Sequence, residues 1–461
     1  MLLYRAAIFI FCGICSWRFI MDILKRVGED NVQFVELEFS DIFGTLKSLE
    51  IPVSAMEDAL DRGIWFDGSS IRGYARIKES DMFLKPDIDT YSLLPGENND
   101  MKTARFMCDI FKPDGTVFTG DPRAILKKQV REAVDMGYRF NVGPEVEFFL
   151  FKKSPDGSIA TPDFDTGSYF DSSEKDLGSD IRKEIMSTLK FFGIDSERAH
   201  HEVGVGQHEV GFKYGDALST ADTVVLLKKI IKSTAHKYGF IASFMPKPRY
   251  GKPGSGMHIH SSLFSNDGSP LFFDENDRNN LSRLAKQFIA GILKYIKEIV
   301  SLTNPTINSY KRLNSGFEAP KYICWGSKNR SSLIRIPQSS PGRKSSVRAE
   351  LRCPDPSSSP YLAFAAILKA GLEGIREELE IPEPMRESVY MKSDEELDEL
   401  DIEMLPGSLS EALSNLEKSS IMEDLLGREF LIKYVEAKRR ELNEFDMAVT
   451  DWERARYLDR C

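Results

Sequence analysis

Residues 138–151, Tyr-Arg-Phe-Asn-Val-Gly-Pro-Glu-Val-Glu-Phe-Phe-Leu-Phe, decide the architecture. The run is apolar and aromatic enough for a buried strand, yet it places Glu145 and Glu147 two positions apart. Residues two apart on a strand project to the same face, so both carboxylates share one wall of a sheet. The same spacing recurs at His258/His260 and in Arg348/Glu350/Arg352, and Glu202 and Glu209 stand on a glycine-broken segment. Three such walls around one space make a carboxylate-rich, partly cationic cavity, suited to metal-assisted chemistry on phosphate.

Outward from that strand, Gly120-Asp121-Pro122 marks a boundary. Asp at an N-cap and Pro at the first helical position predict a helix running to Gly137. Ser219 is expected to cap a helix over residues 220–238 that Gly239 stops, and a glycine-rich loop and strand cover residues 251–263. A helix over 281–302, an Asn/Pro/Arg-rich segment over 304–360 and an acidic helical end follow. Upstream, residues 31–53 alternate apolar and polar around Asp41-Ile42-Phe43-Gly44, a hairpin signal, and Pro113-Asp114-Gly115 supplies a turn within 103–118. The expected class is α+β: a small, mostly β N-terminal domain over residues 21–119 and a catalytic domain over 120–461 built on an antiparallel sheet.

Residues 1–20 form an apolar run whose uninterrupted stretch is shorter than the roughly 20 residues of a membrane span. Met21 reads as the natural start, and the extension is expected to be spurious or disordered. The formal net charge of −10 argues against a nucleic-acid binder working by bulk electrostatics. Six cysteines in 461 residues make no disulfide framework, so a reducing, cytoplasmic setting is expected. Cys12-Gly-Ile-Cys15 matches C-x-x-C, but it follows no strand and is not read as a redox motif.

Glu145, Glu147, Glu202, Glu209 and Glu350 are hard oxygen donors, joined by one imidazole, His258. That set suits Mg²⁺ or Mn²⁺ better than Zn²⁺. Any single glutamate could be a solvated strand face, but Glu145 and Glu147 are embedded in an apolar strand where unpaired charge is costly. His200, His201 and His208 are expected to orient ligands rather than to be ligands. Arg312, Arg330, Arg335, Arg348 and Arg352 crowd one segment, where planar guanidinium forks suit phosphate and carboxylate, or pair with the same glutamates. No G-x-x-x-x-G-K-[ST] sequence occurs, so metals and arginines must handle any phosphate.

With these residues in view, the chain resembles class I glutamine synthetase from about Met21 to its end. The ordered motifs are Phe66-Asp67-Gly68-Ser69-Ser70, Glu79-Ser80-Asp81-Met82, Gly143-Pro144-Glu145-Val146-Glu147, His201-Glu202-Val203 through Gln207-His208-Glu209, and Lys247-Pro248. Gly254-Ser255-Gly256-Met257-His258, Asn304-Pro305-Thr306, Glu318-Ala319-Pro320, Asn329-Arg330-Ser331, Ile334-Arg335-Ile336-Pro337 and Arg348-Ala349-Glu350-Leu351-Arg352 complete the series. The resemblance implies a β-grasp-like N-terminal domain, a larger catalytic domain, and a dodecamer of two hexameric rings with active sites between subunits.

The implied reaction joins ammonia to L-glutamate at the expense of ATP, through γ-glutamyl phosphate, with two or more Mg²⁺ or Mn²⁺ ions per site. By motif, one metal falls to Glu147, Glu202 and Glu209, and the other to Glu145, His258 and Glu350. Tyr214, His260, Ser262, Arg330, Arg335 and Arg348 fall to the nucleotide, and Gly254, Arg312 and Arg352 to glutamate. Asp67, reaching in from the adjacent chain, serves ammonium, and Glu318 closes a flap over the acyl phosphate. Pro253 stands where an asparagine that contacts glutamate is common, and Ser359 replaces the usual asparagine before Pro360. The surroundings of Tyr390 and the absence of an insertion after Phe151 point to the I-alpha subgroup, which is not adenylylated, with Arg76 as the residue expected to mediate glutamine feedback. The alternative is a relative that ligates glutamate to another amine, such as a polyamine.

Overall fold

The computed structural model describes residues 19–71, 81–96, 101–153, 165–172, 174–316, 319–327, 329–338 and 342–460. Arg76, Glu318 and residues 1–18, with Cys12 and Cys15, lie outside the described residues. No described helix is long and apolar enough to cross a membrane.

The first sheet holds β1 (Phe34–Ser40), β2 (Leu46–Pro52), β3 (Ile64–Asp67), β4 (Asp81–Pro86), β5 (Ser92–Leu93) and β6 (Thr103–Phe111). Its order is β2-β1-β6-β4-β3, with β5 beside β6. The expected hairpin is the β1–β2 pair, while β1 and β6 run parallel, the arrangement of a β-grasp sheet.

The second sheet gathers β7 (Tyr138–Lys152), β8 (Ser196–His201), β9 (Gln207–Phe212), β10 (Gly215–Asp216), β11 (Phe240–Ser243), β12 (Met257–Ser265), β13 (Trp325–Gly326), β14 (Ile334–Arg335) and β15 (Ala349–Leu351). Its main path is β13-β14-β15-β12-β7-β9-β8, with β10 and β11 also pairing with β7. It is antiparallel as expected, except that β13 and β14 run parallel. Along β7, Phe140, Val142, Val146 and Phe148 face the core, and Asn141, Gly143, Glu145 and Glu147 take the opposite face.

Helices α1 (Pro122–Asp135), α2 (Ser179–Phe191), α3 (Ala217–Lys237), α4 (Arg283–Thr303) and α5 (Ile307–Leu313) surround this sheet, with the almost wholly buried α6 (Pro360–Arg376). Asp121 caps α1 by accepting from the Arg123 amide, with Pro122 in the first turn, as its sequence predicts. For α3 the expected cap is displaced. Asp216, three residues earlier, accepts from the Ser219 amide, so Ser219 sits inside the first turn instead of capping it.

Charge pairing joins the two sheets. Lys229 of α3 reaches Glu36 and Glu38 of β1 at 2.8 and 2.7 Å. The buried Arg123 guanidinium is shared among Asp87, Asp109 and Asp222. Pairing such a buried cation with three carboxylates avoids the several kcal/mol that an uncompensated charge costs.

Candidate active site

Strand register brings the three walls together. Glu145 of β7 lies opposite His258 of β12, His260 opposite Glu350 of β15, Glu147 opposite Glu209 of β9, and Glu209 opposite His200 of β8. The ligand-type residues of five strands therefore form one band on the face of the sheet away from the core.

Within the band, Glu145, His258 and Glu350 offer ligand atoms within 4.8 Å of one another. His258 Nδ1 lies 3.4 Å from Glu145 Oε2 and 3.7 Å from Glu350 Oε1, and His260 Nε2 lies 3.2 Å from the other Glu145 oxygen. A second group on the same criterion is His200, Glu202 and Glu209. His200 Nε2 meets Glu202 Oε1 at 2.9 Å. Glu147, expected with Glu202 and Glu209, opposes Glu209 in register but is held elsewhere: its Oε2 accepts from Gln207 Nε2 at 2.7 Å and the Gly256 amide at 2.9 Å. It still lines a cavity with Glu202.

Two cavities open beside the band. One, of about 270 Å³, is lined by Glu145, Tyr214, His260, Ser262, Arg343 and Arg348, among others. There Arg348 donates to His260 Nδ1 at 3.1 Å and to the Ser346 carbonyl at 2.9 Å. The other, of about 240 Å³, is lined by Glu147, Glu202, Pro253, Gly254, His258, Arg312 and Arg352. Arg312 is pinned by the carbonyls of Cys353 and Pro354, and Arg352 by Glu350. Gly256 leaves room for these side chains, since a Cβ there would lie 2.7 Å from Arg312 Nη2 and 3.1 Å from His258 Nε2 and force one of them to shift.

The described catalytic region matches the family model "Glutamine synthetase, catalytic domain" over residues 119–457, and residues 31–113 match "Glutamine synthetase, beta-Grasp domain". Glutamine synthetase of Clostridium saccharobutylicum is 46% identical over 439 residues, covering 95% of this chain and 98% of that protein. Glutamine synthetase of Halobacterium salinarum is also 46% identical over 439 residues, covering 95% and 96%. The chain belongs to the glutamine synthetase family. A solved GmaS/ADP complex superposes with a TM-score of 0.86 at 30% identity, over 95% of this chain and 99% of that one.

As a glutamine synthetase family member, the chain is an enzyme of ATP-dependent glutamine synthesis, with glutamate and ammonia as co-substrates and a divalent metal as cofactor. The charge pattern of its band fits a cation. Burial, then repulsion from Glu202, pushes the Glu147 carboxyl up to about 8. Burial, then Glu145 and Glu147, pushes Glu209 well above the usual carboxylate range, and its buried Oε1 has no hydrogen-bond donor among the described residues. Burial also opposes ionisation of Glu145 and Glu350. For Glu145, hydrogen bonds from His258 and His260 outweigh it; for Glu350, the nearby charges of His260, His258 and Arg352 do. Half the band thus holds carboxylates at a cost that a bound cation would relieve.

Some expected residues stand apart. Arg335 turns to Glu350, donating to Oε2 at 2.8 Å, and lines neither cavity. Arg330 is exposed and lines neither cavity. Asp67 ends β3 in the first sheet, where its Oδ1 accepts from the Ser69 amide and hydroxyl, and it lines neither cavity of its own chain. The sequence reading missed Arg198, Gln207 and Arg343. Arg198 carried a usable signal, since Arg198-x-His200-x-Glu202 repeats the two-residue spacing.

The buried trio Asp165, His201 and His208 also brings ligand-type atoms within 4.8 Å. It does not read as a metal site. Arg182 Nη1 approaches His208 Nδ1 at 2.8 Å, so that nitrogen accepts and Nε2 carries the proton. His201 Nδ1 instead meets the Glu202 carbonyl at 2.6 Å, which fixes the backbone beside Glu202. Both histidines thus brace the segment, as expected of orienting groups.

Proposed function

We propose that ATP binds in the cavity lined by Tyr214, His260, Ser262 and Arg348, and that glutamate binds in the cavity lined by Gly254, Arg312 and Arg352. The observation that carries this reading is that Glu145, His258 and Glu350 stand at the junction of the two cavities: Glu145 lines one, His258 the other, and Glu350 meets His258 and Arg352 of the second while lying opposite His260 of the first in strand register. That the superposable GmaS structure is an ADP complex supports nucleotide binding by this fold.

Two Mg²⁺ or Mn²⁺ ions fit the donors, one with Glu145, His258 and Glu350, the other with Glu202, Glu209 and Glu147, while His200 orients Glu202. When bound, such ions supply charge neutralisation on the phosphoryl oxygens. The chain's own groups do the rest. Arg312 and Arg352, held rigid by carbonyls and by Glu350, orient the glutamate carboxylates. A glutamate γ-carboxylate oxygen then attacks the γ-phosphorus of ATP and ADP departs. Ammonia attacks the resulting acyl phosphate and inorganic phosphate departs, giving glutamine. Arg348, with Arg335 and Arg330, offers donors to the phosphate charge.

The exposed setting of Asp67, away from its own cavities, supports its service to a neighbouring copy in a dodecamer, where it would bind and deprotonate ammonium. Glu318 is assigned to closure over the acyl phosphate, and Arg76 to glutamine feedback, in a cytoplasmic enzyme of the I-alpha subgroup. The gap between the two family-model matches supports dividing the chain near Gly120. A steady-state assay with glutamate, ATP and Mg²⁺ or Mn²⁺ tests the reading, comparing ammonium with other amines. Ammonium should give glutamine and phosphate in equal amounts, and Glu318→Ala should raise phosphate release without amide. Amide formation only with a larger amine would overturn the choice of ammonia.

A further inference from the structure

Arg198 stands between the two ligand groups. Its Nη2 lies 2.5 Å from Glu145 Oε1 and its Nε 3.6 Å from Glu209 Oε1, so one guanidinium bridges a carboxylate from each. A local irregularity aims it there. The pairing of β8 with β9 shifts register between Ser196 and Arg198, leaving Glu197 as the extra residue of a bulge. Bulges re-aim side chains next to sites, and this one sets Arg198 on the same face as His200, two residues on. β8 is an edge strand, and the Arg198 side chain is 59% exposed, so its two carboxylate partners rather than enclosing packing hold it in place.

A guanidinium and a divalent cation cannot both sit on the same carboxylate oxygens, because like charges a few ångströms apart repel strongly in a partly buried site. Arg198 also lines the cavity of Arg343 and Arg348, which together present three guanidinium groups to whatever fills it. A polyphosphate is the ligand class whose charge and oxygen geometry match such forks.

We infer that Arg198 is a positioning residue that exchanges partners: it neutralises Glu145 and Glu209 while the metal sites are unfilled, and turns to the nucleotide polyphosphate when they fill. This rests on the proposed reading of the cavity as the nucleotide site. The exchange makes metal and nucleotide bind more tightly together than either binds alone, because the guanidinium displaced by one is a ligand for the other.

The test compares wild type with Arg198→Ala and Arg198→Lys in the full-length assembled enzyme. Mn²⁺ binding is measured by electron paramagnetic resonance without nucleotide, and ADP binding by calorimetry at saturating Mn²⁺. R198A is expected to bind Mn²⁺ about three- to tenfold more tightly and ADP about tenfold more weakly, each reflecting one charged hydrogen bond. R198K should recover part of the ADP affinity, and the KM for ATP should rise in R198A while the KM for glutamate stays put. A residue that merely stabilises the strand edge would move neither affinity. Unchanged or weaker Mn²⁺ binding in R198A, or unchanged ADP binding, overturns the inference. If wild type itself binds neither probe, the reading of the cavity fails as well; if it binds both and R198A matches it, only the role of Arg198 falls.

Discussion

Glu145 and His258 face each other across the β7–β12 ladder as a register pair, with the imidazole Nδ1 3.4 Å from the carboxylate Oε2. Both side chains are largely buried, and the next strand adds Glu350 at 3.7 Å from the same nitrogen. His258→Ala removes the one nitrogen ligand of this group and leaves Glu145 and Glu350 without it. Mn²⁺ affinity at one site should fall by at least on the order of 100-fold, since even outer partners of a ligand cost about 10- to 100-fold. Titration of bound Mn²⁺ checks this: one stoichiometric site should disappear and the other persist. Loss of both, in a folded protein, would mean the two groups are one site.

Gln207 acts as a clip between β9 and the glycine loop. Its Nε2 donates to Glu147 Oε2 and to the Gly254 carbonyl, and its Oε1 accepts from the Gly204 amide. Gln207→Ala leaves the buried Glu147 with one donor and frees the loop that lines the glutamate cavity. The KM for glutamate should rise roughly tenfold, equivalent to one charged hydrogen bond, with the KM for ATP little changed. Equal increases in both would place the effect on the whole sheet instead.

Gly256→Ala tests the packing of the same loop. The added Cβ meets Arg312 Nη2 at 2.7 Å and His258 Nε2 at 3.1 Å, so it must push a substrate-cavity arginine and a metal-group histidine at once. Overpacking of this kind costs about 1–3 kcal/mol. Thermal denaturation should show that loss, and both glutamate and Mn²⁺ affinity should drop. Wild-type affinity for either would show that the loop yields without moving the site.

The band was legible in the sequence because strand alternation is local: Glu145/Glu147 and Arg348/Glu350/Arg352 needed only a period of two. Which strands lie side by side depends on pairing between distant segments. So His200 joining Glu202 and Glu209, Glu147 being claimed by Gln207, and the bulge that redirects Arg198 were not legible. The start of α3 was misplaced for a different reason. Asp216 and Ser219 are both good caps, and the earlier one won because the helix gains three residues while the Ser219 amide still finds an acceptor. Asp67 rests on motif resemblance alone, and Arg330 and Arg335 on that and on their crowding within one segment; neither signal says where a single chain sets its side chains.

Asp121 makes stability depend on pH. It is buried, its Oδ1 accepts from the Arg123 amide, and its Oδ2 has no hydrogen-bond partner among the described residues. Burial, reinforced by Asp109 and only partly offset by the Arg123 amide and the charges of Arg123 and Lys127, pushes its carboxyl up to about 7. Because the folded value is raised above the ordinary 3.8, its contribution to stability is fullest below about 3.8. That contribution is lost as pH rises through about 7, where the folded chain must ionise a buried carboxyl. Three units correspond to an upper bound of roughly 4 kcal/mol. Asp121→Asn keeps an N-cap acceptor of equal quality and removes the titration. Its stability relative to wild type should therefore increase from pH 5 to pH 8 and level off above, as read by chemical denaturation at each pH. A difference independent of pH would mean that Asp121 stays ionised throughout, paired with Arg123 and Lys127 strongly enough to overcome its burial.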